Sequence, residues 1–73
     1  MMMLDKQPSP EQFKRVRETS GLSQMEAAKL LGFGSRSRIS EIENGLQKLS
    51  PLKWNFFLLA NNLHPHYKLK ERI

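Results

Sequence analysis

The chain contains no cysteine, which excludes disulfides and thiolate metal sites and fits a reducing compartment. A cytoplasmic, nucleoid-associated location is therefore the expectation. No apolar run approaches the roughly 18–20 residues needed to span a membrane. The opening Met1-Met2-Met3-Leu4-Asp5 lacks a charged segment followed by an apolar one, so no signal peptide is expected. Strand alternation, internal repeats and low-complexity tracts are also missing. Acidic residues are the minority, 7 against 12 Lys and Arg, giving +5 and an isoelectric point near 10.0. On 73 residues that excess favours polyanions, nucleic acid ahead of an anionic membrane. A membrane surface fits poorly, because the basic residues are spread along the chain and the most apolar segment has little charge.

Catalysis finds no support. No nucleophile is paired with a base, and Gly32-Phe33-Gly34 lacks the lysine and preceding strand of a phosphate loop. His64 and His66, without cysteine or an acidic neighbour, make a poor metal site. No enzyme activity, metal or cofactor is expected.

A chain of 73 residues holds one domain and buries only about 60% of its unfolded surface. Residues 1–8 read as a lead-in, 9–63 as the domain, and 64–73 as a tail with a short helix or a dimer contact. Ser9-Pro10-Glu11-Gln12 starts a helix over 10–20, closed by Gly21. Ser23-Gln24-Met25-Glu26 is a second capping box, for a helix over 23–31 closed by Gly32. A third helix, 36–44, carries Ile39 and Ile42 on one side and ends at Gly45. Ser50-Pro51 starts a fourth over 51–63. On its wheel Leu52, Phe56, Leu59, Ala60 and Leu63 share one arc, and Trp54, Phe57 and Leu58 lie opposite. The expected fold is all-α, with four or five helices.

Helices two and three are short and joined through glycine, the helix-turn-helix arrangement in which the second helix enters the DNA major groove. Its charges run against the helix dipole. Arg36 and Arg38 stand in the first turn, Glu41 and Glu43 near the end. DNA supplies a reason for the arginines, since a guanidinium can bond guanine O6 and N7 in bidentate fashion. With Ile39 and Ile42 inward, Ser37, Ser40 and Glu41 point outward, flanked by Arg36 and Arg38. Glu41 either accepts from cytosine N4 or holds Arg38 as an i,i+3 partner, and the second is favoured because phosphates repel a carboxylate.

Leu22-Ser-Gln-Met-Glu-Ala-Ala-Lys-Leu-Leu-Gly32 and Ser35-Arg-Ser-Arg-Ile-Ser-Glu-Ile-Glu-Asn-Gly45 resemble the phage-repressor-like (Cro/XRE) helix-turn-helix family, from about Phe13 to Leu63. The resemblance implies a compact lambda-repressor-like domain and a transcriptional regulator, in particular a repressor, dimeric on an inverted repeat of double-stranded DNA. By the same resemblance Arg36, Ser37 and Arg38 read bases, with Ser40 as a lesser contact. Gln24 and Asn44 grip phosphate, and Arg17 and Glu43 form an ion pair. Lys48 and Lys53 are general phosphate attractors. The two apolar faces of helix four call for a cover over Trp54, Phe57 and Leu58, either the tail or, as favoured, a second subunit. The chain departs from the family in one extra turn residue, with Gly34 as the insertion, so Ser35 or Ser37 caps helix three. His64-Pro-His-Tyr-Lys-Leu-Lys-Glu-Arg-Ile73 replaces the usual last helix and loosely resembles antitoxin-type regulators. That leaves a protein partner such as a toxin as the alternative to DNA.

Overall fold

The computed structural model describes residues 6–61 and 63. Within them four helices follow in order: α1 Pro10–Thr19, α2 Gln24–Leu30, α3 Ser37–Glu43 and α4 Pro51–Ala60. No strand occurs among the described residues. The tail from His64 onward lies outside them.

Local chemistry sets the helix ends. The Ser9 hydroxyl accepts from the Gln12 amide at 3.1 Å, and the Gln12 side chain accepts from the Ser9 amide at 3.4 Å. Ser23 and Glu26 repeat the exchange at 3.0 and 2.8 Å. The bond from the Ser23 amide, and after it the nearby Ser23 side chain, hold the Glu26 carboxyl below its ordinary range. The α2 C-terminus closes through Gly32, whose φ of +77° an L side chain rarely adopts. There the Gly32 amide donates to Lys29 O at 3.2 Å and the Phe33 amide to Ala28 O at 2.8 Å. Gly34 needs no such backbone freedom, since its φ is not in the left-handed region and a Cβ there would meet open space. The turn at Gly34 is therefore built without left-handed backbone.

Phe13, Ala27, Ala28, Leu31, Ile39, Ile42, Leu49, Trp54, Phe57 and Leu58 form the core, with Val16, Leu22 and Phe33 packed at its edge. Ala27 and Ala28 are small enough to let α3 pack closely against α2, and α3 also packs against α1.

The α4 faces correct the expectation for that helix. Trp54, Phe57 and Leu58, expected at a dimer interface, are 3%, 0% and 5% exposed. Phe13 of α1 occupies the space that a partner would have filled. Its ring lies 5.0 Å from Phe57 and 6.2 Å from Trp54. The opposite arc, with Leu52 at 72% and Phe56 at 46%, faces solvent. Both faces are apolar, so periodicity alone does not choose between them, whereas the three rings can fill one common volume. The helix also stops three residues before the expected 63, at Ala60. The Asn61 amide group donates to Phe57 O at 2.8 Å, and the Leu63 amide to Leu58 O at 2.8 Å, which closes the last turn.

This assignment fixes the stability of two variants. Phe57→Ala should cost about 3–5 kcal/mol, while Leu52→Ala should stay within about 0.5 kcal/mol. Urea unfolding of both measures it, and the reverse order would invert the faces.

Candidate nucleic-acid interface

The site is built on α3, whose inner side is anchored by Ile39 and Ile42, both buried. Its start differs from expectation. Neither Ser35 nor Ser37 caps the helix; Arg36 holds the N-cap position, in helical conformation and with no side-chain cap bond. The Arg36 carbonyl accepts from the Ser40 amide at 3.1 Å, so Arg36 is joined to the helix and its side chain is free to project from the first turn.

One joint fixes α3 from behind. Arg17 of α1 donates from Nε to Glu43 Oε2 at 2.5 Å and from a terminal nitrogen to Glu43 Oε1 at 3.2 Å. Its other terminal nitrogen donates to the Leu22 carbonyl at 2.8 Å. Gln24 Nε2 donates to Glu43 Oε1 at 3.3 Å. The Arg17 and Glu43 side chains are 11% and 6% exposed. The bond to Glu43 raises the Arg17 guanidinium above its already high ordinary range against the opposing effect of burial, so its charge is fixed at any accessible pH. Glu43 sits against the dipole at the α3 C-terminus because this joint holds it there.

In front, Gln24, Arg36, Ser37, Ser40 and Glu41 line an open cleft of about 250 Å³. Arg36 and Ser37 are exposed, and Ser40 and Glu41 half-buried. Asn44 is exposed, and its amide donates to Ser40 Oγ at 3.3 Å, tying the α3 C-terminus to the same face. Lys48 is exposed on the segment between α3 and α4.

Arg38 departs from the cleft. Its guanidinium lies 5.0 Å over the Phe33 ring, and it makes no ion pair with Glu41, the partner expected for it. The aromatic face offers a cation about 0.5–1 kcal/mol at such a site, a rival to an exposed i,i+3 pair of about 0.2–0.5 kcal/mol. Lys53, expected as a free phosphate attractor, is also engaged. Its Nζ donates to Leu31 O at 3.0 Å and lies 5.3 Å from the Phe33 centroid. Phe33 thus meets two cations at the helix-turn-helix turn. The available signal was an aromatic residue in a turn five places before Arg38.

A short helix, a glycine-closed turn and a second helix with one face in the core and a polar face turned outward define a helix-turn-helix domain. The chain belongs to the helix-turn-helix domain family, whose model matches residues 11–55. That membership supports DNA as the partner. No curated protein matches the chain. No described helix is long and apolar enough to cross a membrane.

The joint behind α3 is testable by itself. Arg17→Met strands the Glu43 carboxylate with a single amide partner and should lower stability by about 3 kcal/mol in urea unfolding. A loss under about 1 kcal/mol would mark a solvent-screened surface pair.

Proposed function

We propose that the protein is a sequence-specific DNA-binding transcriptional repressor of the Cro/XRE type, acting as a homodimer on an inverted repeat. One observation carries this reading. The outward side of α3 gathers Arg36, Ser37, Ser40 and Glu41 into an open cleft, while its inward side is locked by Ile39, Ile42 and the Arg17–Glu43 joint. A rigid helix with polar heads held forward meets the requirement of base readout, which needs donors and acceptors fixed against groove edges.

In this reading Arg36 and Arg38 address guanine, with Ser37 and Ser40 as smaller contacts. Gln24 and Asn44 meet phosphates as neutral donors and Lys48 as a cation, and the chain's net charge of +5 makes affinity fall with salt. Arg38 would leave or slide along Phe33 to reach a base. A seven-residue α3 is about 10 Å long and covers roughly three base pairs. Two copies are needed to specify a longer site, with reading helices about 34 Å apart in successive major grooves.

A second reading has one observation in its favour. Leu30, Leu31, Gly32, Leu52, Lys53 and Phe56 line an apolar groove of about 400 Å³ that an antitoxin-type partner could use. It ranks behind DNA because the freely projecting polar groups are gathered at α3.

Fluorescence anisotropy on a duplex selected from a randomised pool, at low and physiological salt, tests the proposal. Arg36→Ala should cost about 1–3 kcal/mol on the selected duplex and much less on random duplexes. Equal losses on both would remove Arg36 from base readout. Weak binding that vanishes with salt would transfer the function to the apolar groove.

A further inference from the structure

The α3 cleft contains one charge that DNA binding by itself does not explain. Glu41 lines it beside Arg36, and no ion pair joins the two. Its expected partner Arg38 is held over Phe33 instead. Its backbone carbonyl is used, accepting from the Leu46 and Gln47 amides at 2.8 and 3.3 Å, which fixes the last turn of α3 and with it the base of the side chain. The carboxylate stands near a helix C-terminus, where an anion is disfavoured. It also lines the cleft that the proposed reading turns toward DNA. No cation among the described residues forms an ion pair with it.

A polyanion offers a carboxylate few favourable partners. In the major groove the donors are the cytosine N4 and adenine N6 amino groups, whereas guanine presents N7 and O6 and thymine presents O4, all acceptors. Adenine places its N7 acceptor beside its donor, so a carboxylate with two acceptor oxygens meets repulsion there too. Cytosine has no such neighbour on its own edge.

We propose that Glu41 is a specificity-determining residue that accepts a hydrogen bond from a cytosine N4 amino group, selecting one G·C pair and repelling the other bases at that position. This rests on the proposed reading of DNA by α3 and names one part of the operator. The same charge weakens binding to unrelated duplexes, so Glu41 widens the gap between cognate and random DNA from both sides.

The test uses the full 73-residue chain. Duplexes are selected from a randomised pool with the wild type and with Glu41→Ala. Each cytosine of the wild-type consensus is then replaced in turn by a 2-pyrimidinone nucleotide, which lacks the N4 amino group. One replacement should weaken the wild type about tenfold and Glu41→Ala by no more than about twofold. Glu41→Ala should lose the cytosine preference at that position alone and bind random duplexes more tightly. The proposal is overturned if no replacement weakens the wild type, or if both proteins weaken equally. A wild-type selection that yields no consensus overturns the DNA reading itself, an outcome distinct from a consensus indifferent to Glu41.

Discussion

The bond between Arg17 and Glu43 governs what α3 can do. A seven-residue helix is too short to hold its own conformation in water, so tertiary contacts must fix it. Ile39 and Ile42 anchor its inner side to the core. The Arg17 fork adds a polar anchor at its C-terminal end. It grips Glu43 with two nitrogens and the Leu22 carbonyl with a third, while Gln24 reaches the same carboxylate. The Arg17–Glu43 pair thus ties α1, the α1–α2 turn, the start of α2 and the end of α3. Its price is an ion pair drawn largely out of water, tolerable because most of its polar atoms are bonded.

With its back fixed, α3 presents a front of mixed character. Arg36 supplies donors, Glu41 supplies acceptors, and the serines between them do both. Arg38 and Lys53 rest on the Phe33 ring, so part of the positive charge is stored at the side of the cleft. The front of α3 is therefore less basic than the composition implies. Under the proposed function that balance favours discrimination over raw attraction, with long-range steering from the net charge and selection from the few heads held forward.

Much of this was legible in the sequence because local chemistry decides it. Ser9 with Gln12 and Ser23 with Glu26 announced two helix starts, and Gly21, Gly32 and Gly45 announced three ends. The inward setting of Ile39 and Ile42 followed from spacing. The Arg17–Glu43 pair came from family resemblance, since residues 26 apart have no sequence signal of contact. What stayed hidden depends on competition in three dimensions. Helix four has two apolar faces, and the meeting of Trp54 and Phe57 with Phe13 decides which turns inward. Glu41 was assigned to Arg38 by helical spacing, but a ring from a preceding turn took the arginine. Ser35 and Ser37 both suit a cap, yet Arg36 holds the position.

The central claim is that the front of α3 is the DNA-contacting surface. Amide chemical-shift mapping during titration with a selected duplex tests it most directly. The account predicts that the largest shifts fall on Gln24, on residues 36–41 and on Asn44, with little change at Leu52 and Phe56. Shifts concentrated on Leu30, Leu52 and Phe56, with α3 unmoved, would contradict it.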